Sequence, residues 1–314
     1  MPLTQTYLGI EIGGTKLQLS LVDTDGNTIQ NVRNRVDADE GSAGIQTKIA
    51  EAIRDTLPLA EITAIGVGFG GPVNWQTGLV RLSHQVNGWA DFDIKGWLGT
   101  LTGKPVFIEN DANVAALAEA VYGAGKAYDK VFYMTIGSGI GGGMIINRAI
   151  YHGNMPGEAE VGHICLDKKG TTLESQCSGW AVDKKVRKHI KKHPKGLLAS
   201  MKNKVVGPEA SFLLAALSQN NKAAVKIVDE ITDDLALALS HVVHLFHPEI
   251  IIIGGGLSFL DHHLCVPLNR KLPKYVMKAF LPVPLVCVAT LGESAVPTGA
   301  AELAKLHWQL LQNH

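Results

Sequence analysis

Apolar positions along this chain switch between a period of two and a period near 3.6, and the switches fall at glycines. Leu17, Leu19 and Leu21 alternate with polar neighbours in TKLQLSLV, a strand pattern, and DTDGN after it reads as a tight turn into another strand. YLGIEI is an earlier apolar strand, so the chain opens on a hairpin turned at Gly13 and Gly14. Ile45, Ile49, Ala52, Ile53 and Leu57 then recur at helical spacing. EITAIGVGFGG and GKPVFIEND predict two further strands. ANVAALAEAVYG predicts an alanine-rich helix closed by Gly123.

The same sequence of patterns then begins again. KVFYMTIGSGIGGGMIINRAIYHG reads as strand, glycine turn and strand, with Ile136-Gly137-Ser138 standing where Ile12-Gly13-Gly14 stand in the first run. Ala224, Ile227, Ile231, Leu235, Ala238 and Val242 mark a long amphipathic helix with Asp229, Glu230, Asp233 and Asp234 on its polar side. EIIIIGGG is a fully apolar strand, followed by a helix, the strand PLVCVATLG and a terminal helix. The repetition predicts two α/β domains facing each other across a cleft, with a boundary near Gly123.

Composition narrows the class. A chain of 314 residues, 46% apolar and 18% charged, suits two globular domains. Lys+Arg and Asp+Glu balance at 29 each, which leaves no electrostatic footprint for nucleic acid or a membrane surface. The basic run DKKVRKHIKKHPK reads as a solvated helix face. The N-terminus lacks a signal-peptide pattern, and the longest apolar runs fall short of the roughly 20 residues that span a bilayer. Cys165, Cys177, Cys265 and Cys287 show no CxxC spacing, so a reducing cytoplasm is the expected location.

The glycines suggest chemistry. Gly66, Gly68, Gly71 and Gly137, Gly139, Gly142 both spell GxGxxG, but neither run opens a helix, so a dinucleotide fingerprint is not the reading. Glycines at turns expose backbone N–H groups to phosphates. Gly13, Gly14, Thr15 and Lys16 with the loop Gly137 to Gly143 suit a triphosphate, and Gly254 to Gly256 a base or ribose.

In order, GIEIGGTK, GFGGP, ENDANVAALAEA, TIGSGIGGGMI, GEAEVGH and IIIGGG resemble the motifs of the ROK-family sugar kinases, over nearly the whole chain. The resemblance implies two ribonuclease-H-like domains of the actin/hexokinase/Hsp70-like ATPase superfamily. One would be a small domain, 1–122, completed by the C-terminal helix 295–314, and the other a large domain, 123–294. It implies an ATP-dependent hexose kinase, glucokinase-like, with Mg²⁺ accompanying ATP, and a homodimer. Phosphate contacts would come from Glu11, Gly13, Gly14, Thr15, Lys16, Gly137, Ser138, Gly139 and Gly141, and adenosine contacts from Gly254, Gly255 and Gly256. The sugar would meet Gly71, Asn110, Asp111, Glu160, His163 and Glu174, with Asp111 as general base.

Alternatives remain at the level of single residues. Asp111 before an alanine-rich helix also suits a helix cap, and Glu160 and Glu174 also suit surface charges. N-acetylmannosamine, N-acetylglucosamine and fructose fit the same motifs as glucose, and Gln85 in LSHQVNGW stands where glucokinases usually have Asn. A polyphosphate donor is weakly disfavoured by the absence of an evident basic groove. A sugar-responsive repressor of the same family would carry an added helix-turn-helix, for which a first strand near residue 7 leaves no room. A non-kinase ATPase of this fold would leave ENDA and EVGH without a task. His241, His244 and His247, spaced by three, drift round a helix and read as ordinary histidines. Zinc-bearing relatives add three cysteines to the histidine of ExGH. This chain has the short loop DKKGTT instead, with Thr172 at the last cysteine's place, so no zinc is expected.

Overall fold

The computed structural model describes residues 5–81, 83, 86–155, 157, 159–205 and 207–313. The opening hairpin pairs β1 (Thr6–Ile12) antiparallel with β2 (Lys16–Val22), and β3 (Thr28–Arg35) continues antiparallel to β2. Helix α1 (Gly41–Asp55) leads to β4 (Ile62–Phe69), which lies parallel to β1. A short ladder of β5 (Val73–Asn74), β6 (Leu79–Val80) and β7 (Phe92–Asp93) precedes α2 (Ile94–Thr102). β8 (Val106–Asn110) then adds parallel to β4, completing the order β3-β2-β1-β4-β8, and runs directly into α3 (Asp111–Val121).

The second sheet repeats that order. β9 (Lys130–Ile136), β10 (Ile140–Ile146) and β11 (Ala149–Ile150) form its hairpin side. Five helices follow: α4 (Leu173–Cys177), α5 (Gly179–Lys192), α6 (Leu197–Ser200), α7 (Ser211–Leu217) and α8 (Lys222–Phe246). β12 (Ile250–Gly254), α9 (His262–Lys271), β13 (Leu285–Val288) and α10 (Ala295–Gln312) complete the chain. β12 is parallel to both β9 and β13, so the order β11-β10-β9-β12-β13 mirrors the first sheet strand for strand. The duplication read from the two glycine-turned hairpins is present as topology.

Contacts gather into two compact units: Met1–Ala127 with Gly143–Glu158 and Leu291–His314, and Tyr128–Gly142 with Ala159–Thr290. In the first, the sheet is covered on both faces. Leu8, Ile10 and Ile12 point into a core with Ile45, Ile49 and Ile53 of α1, whereas Tyr7 packs with Ala301 and Ala304 of α10. That second contact is unusually close. A Cβ added at Gly9 would lie 1.8 Å from Pro297 O, and one at Gly66 would lie 1.7 Å from Ala300 O. Gly9 and Gly66 are register partners on β1 and β4. Gly299 repeats the approach from the helix side, 1.7 Å from Val114 O of α3. The first half of the literal GxGxxG at Gly66 and Gly68 is therefore strand interior that lets a helix backbone sit on the sheet.

Two local expectations change. α3 is not closed by a left-handed Gly123: Tyr122 is its C-cap in right-handed geometry, and Gly123 is absent from the positive-φ glycines. Gly123 is small because a Cβ there would meet the Glu119 carboxylate at 2.0 Å. In the other unit, the second glycine loop is shorter than expected, since β10 begins at Ile140 and Gly141 lies within the strand.

Candidate active site

β1, β4 and β8 run parallel and stop together, with Ile12 opposite Phe69 and Phe69 opposite Asn110. In open α/β sheets, ligands bind outside the carboxyl ends of such strands. Three short segments emerge there: the Gly13–Lys16 turn, the Gly70–Gly71 turn and the start of α3. The first is closed by Gly13 N–H donating to Lys16 O at 3.0 Å, and Gly70 N–H donates to Ile12 O at 2.8 Å. A Cβ on Gly70 would touch Asp111 Oδ2 at 3.4 Å and Gly13 Cα at 3.5 Å. Asp111 is thus brought beside the first turn. Asn110 Nδ2 donates to Gly71 O at 3.3 Å, tying the second segment to the third.

Asp111 is not the cap. Asn110 is, its Oδ1 accepting from Ala112 N–H at 2.9 Å, while Asp111 is the first helical residue and its Oδ1 also accepts from Ala112 N–H, at 2.8 Å. Glu11, at the end of β1, is largely buried and lies 2.9 Å from Lys16 Nζ. Burial pushes its carboxyl above the ordinary value, with Lys16 opposing the shift.

The motif reading passed over Glu109. It is 3% exposed and faces away from water beneath Asn110. Its Oε1 accepts from Asn110 N–H at 2.7 Å and from Asn113 Nδ2 at 3.2 Å. Its Oε2 is 2.6 Å from His152 Nε2. His152 in turn stacks on Trp75, ring centroids 4.2 Å apart. Nothing in the spacing of YHG announces this partner; the pairing spans 43 residues.

In the other unit, the β9–β10 turn and the N-terminus of α5 are joined by Gly179 N–H donating to Gly137 O at 2.8 Å. Glu174 fixes the far side of that turn: its Oε2 accepts from Ile140 N–H at 2.7 Å and leaves no room for a side chain on Gly139. Gly255 has φ +77°, and a Cβ there would strike the backbone of Ile136, whereas Gly137 and Gly256 face open space. Glu160 and His163 are exposed at the two ends of a single 3-10 turn.

Hydrogen bonds fasten the loop that carries DKKGTT. Asp167 Oδ1 accepts from Lys169 and Thr171 N–H, and its Oδ2 from Thr171 Oγ1. These bonds hold the Asp167 carboxyl below its ordinary value, the Thr171 hydroxyl first among them. Leu166 N–H donates to Thr171 O and Leu173 N–H to Ile164 O, and Thr172 caps α4 through Ser175 N–H. Among the described residues, no group of three His, Cys, Asp or Glu side chains is placed to hold a metal ion. His244 Nε2 accepts from Met277 N–H and His247 stacks on Phe280. Gln85 lies outside the described residues.

A cavity of about 640 Å³ opens beside Gly137 and Ser138, bounded by α5, the approach to α7 and the turn after Gly256. Its walls are mostly apolar, with Leu214, Leu257 and Leu260 among them. Asp183 also lines it. The sequence placed Asp183 at the head of a solvated basic face, but it is 6% exposed and sits on the buried side of α5 with Val182 and Val186. A carboxylate among core-facing valines was the available signal.

Two sheets of matching order, each with a glycine turn at its first hairpin, define an α/β chain of the actin/hexokinase-like fold. The chain belongs to the ROK family, which it matches over residues 7–307. It is 32% identical over 306 residues to a glucokinase from Thermotoga maritima, covering 95% of this chain and 96% of that one. It is 28% identical to an N-acetyl-D-glucosamine kinase from Haemophilus influenzae, covering 95% and 98%. A ROK family glucokinase from Streptomyces griseus, solved with glucose and AMPPNP, superposes with a TM-score of 0.84 at 27% identity, covering 96% of this chain and 99% of that one. The protein is a sugar kinase. No helix among the described residues is long and apolar enough to cross a membrane.

Proposed function

We propose that this kinase transfers the γ-phosphoryl group of ATP to a hexose hydroxyl, the 6-hydroxyl of glucose, with Asp111 as general base. The observation that carries the reading is the alignment of β1, β4 and β8, which sets Asp111 Oδ2 beside Gly70 and the Gly13 turn. An acceptor hydroxyl must lose its proton as the phosphoryl group arrives, and a carboxylate within hydrogen-bond reach takes it. At the first position of α3, Asp111 meets the positive end of the helix dipole, which favours the ionised form. Asn110 and Gly71 hold sugar hydroxyls from the same edge, and Glu160, His163 and Glu174 supply further acceptors and donors. Glu174 in addition shapes the second phosphate turn through Ile140.

The Gly13–Lys16 turn and Gly137, Ser138, Gly139 and Gly141 serve the phosphates, and Gly254 to Gly256 the adenosine. Glu11, near the end of β1, offers a carboxylate oxygen of the kind a water of Mg²⁺ accepts as partner, which supports Mg²⁺ accompanying ATP. When bound with ATP, that ion neutralises charge developing on the phosphate oxygens.

Kinetics with ATP on a panel of hexoses and N-acetylhexosamines, scored by ADP release, test the reading. Glucose is expected to give the highest kcat/KM; ATP turnover indifferent to every sugar would sink it. An N-acetylhexosamine is the second reading, favoured by Gln85 and by the Haemophilus relative. We also propose a cytoplasmic homodimer; sedimentation of the purified chain as a monomer would remove the dimer.

A further inference from the structure

Resting on that reading, we infer that His152 is a positioning residue for the sugar, acting through Glu109 on Asn110, and that the Trp75 ring fixes the imidazole for this task.

Asn110, given above to a sugar hydroxyl, is tied at its backbone and at both ends of its amide. Its N–H donates to Glu109 Oε1 at 2.7 Å, its Oδ1 accepts from Ala112 N–H at 2.9 Å, and its Nδ2 donates to Gly71 O at 3.3 Å. The side-chain bonds set the plane of the amide. The bond to Glu109 sets the backbone of the β8–α3 junction, together with Asn113 Nδ2 donating to the same Oε1 at 3.2 Å. An amide held in this way presents its remaining N–H and lone pair in a fixed direction, where a sugar hydroxyl accepts and donates. If the junction shifts, that direction shifts with it, and a misplacement of about 1 Å can cost on the order of 10²-fold in rate.

Glu109 holds the junction only as firmly as it is held itself. With Oε1 engaged by the junction, its Oε2 meets His152 Nε2 at 2.6 Å, which fixes the plane of a carboxylate that is 3% exposed. His152 is placed in turn by its backbone and by its ring. Tyr151 N–H donates to Met144 O at 2.8 Å, and the Trp75 indole stacks on the imidazole with 16° between the planes. Trp75 is carried on a stiff turn. Asn74 Oδ1 accepts from Gln76 and Thr77 N–H at 3.1 and 3.0 Å, and Asn74 O accepts from Gly78 N–H at 2.8 Å. This turn follows Gly71 and Pro72 closely, so the imidazole joins the Gly71 segment to the β8–α3 junction, as the Asn110–Gly71 bond does. Trp75, Glu109 and His152 all belong to the first compact unit.

His152→Phe keeps a flat ring against Trp75 and removes the nitrogen that meets Glu109. KM for the sugar is expected to rise about tenfold, with kcat falling less and KM for ATP staying within about twofold of wild type. His152→Gln, whose amide supplies both a donor and an acceptor, should recover most of the loss. A merely structural role would lower the urea midpoint without separating the two KM values. The decisive measurement is a double-mutant cycle with Asn110→Ala. Once the amide is gone, His152→Phe should cost no more than about twofold in kcat/KM for the sugar.

The same tenfold cost in both backgrounds overturns the assignment, as does a His152→Phe enzyme with wild-type kinetics. Should His152→Phe fail to fold, Trp75→Leu carries the same cycle, since it leaves the hydrogen bonds of Glu109 in place. A rise of about threefold in sugar KM is then expected, absent when Asn110 is alanine. An equal rise in both backgrounds, or none in either, overturns the assignment. Each of those results leaves a sugar kinase with Asn110 on its substrate. Asn110→Ala with wild-type KM for every sugar defeats the underlying reading itself, and this inference with it.

Discussion

Asp111 enters α3 at its first turn, while Asn110 performs the capping that an aspartate there would otherwise be credited with. Capping thus falls to Asn110, although Asp111 Oδ1 also accepts from Ala112 N–H; the proposed base is Asp111. Asp111→Asn preserves shape and the Ala112 hydrogen bond but removes the base. We expect kcat to fall by roughly 10²–10⁴-fold, with KM for the sugar little changed; steady-state kinetics with near-wild-type kcat would exclude the role. Glu109 supports the same turn from beneath. Truncation to alanine removes the carboxylate that accepts from Asn110 N–H and Asn113 and pairs with His152, and a loss of about 3 kcal/mol in urea unfolding is expected. Thiol chemistry is also decided residue by residue. Cys165 is exposed, whereas burial pushes the Cys177 thiol up to about 12, so iodoacetamide at pH 8 should label Cys165 while Cys177 stays unmodified, as peptide mass mapping would read.

Elements are joined here by close approach as much as by apolar burial. α10 rests on β1 and β4 with its backbone where side chains would normally stand, at Gly9 and Gly66. Gly66→Ala must push the helix away from the sheet and should cost about 3 kcal/mol or prevent folding. Gly256→Ala, whose Cβ would meet nothing within 4 Å, should leave the unfolding midpoint in urea unchanged. A Gly66→Ala protein as stable as wild type would mean that the helix docks less tightly than described. The 167–172 loop is the other element-level device. Its hydrogen bonds lower the Asp167 pKa, so they contribute above the ordinary value of 3.8 and are lost as pH falls through the lower folded value. Amide exchange at Lys169 and Thr171 should accelerate as pH falls through that window more than the intrinsic rate accounts for.

Across the whole molecule, one topology is used twice, and hydrogen bonds centred on Asp167 hold the 167–172 loop. Prolonged chelation is expected to leave the melting temperature of the nucleotide-free protein unchanged while abolishing turnover until Mg²⁺ is restored. A melting temperature lowered by the chelator, with one equivalent of zinc released, would show a metal staple after all. Bound ADP should stabilise the fold by about 2.7 kcal/mol at one hundred times its Kd, by mass action.

Periodicity found most strands of the two five-stranded sheets, α1, α3, α8 and the repeat, because alternation and 3.6-residue spacing are local consequences of which face is buried; the short β5, β6 and β7 it did not announce. Glycine turns and the order of the motifs then pointed to phosphates and a sugar. What stayed hidden was every interaction between distant parts of the chain. Gly66 fell within a predicted strand, but why it must be glycine was hidden until α10 was seen lying on it. Glu109 had no partner until His152 arrived from 43 residues away. Asp183 read as part of a solvated face until the valines beside it turned inward. A sequence records which residues prefer burial, but only packing brings a particular carboxylate to a particular cavity, since that depends on contacts between elements that no local spacing encodes.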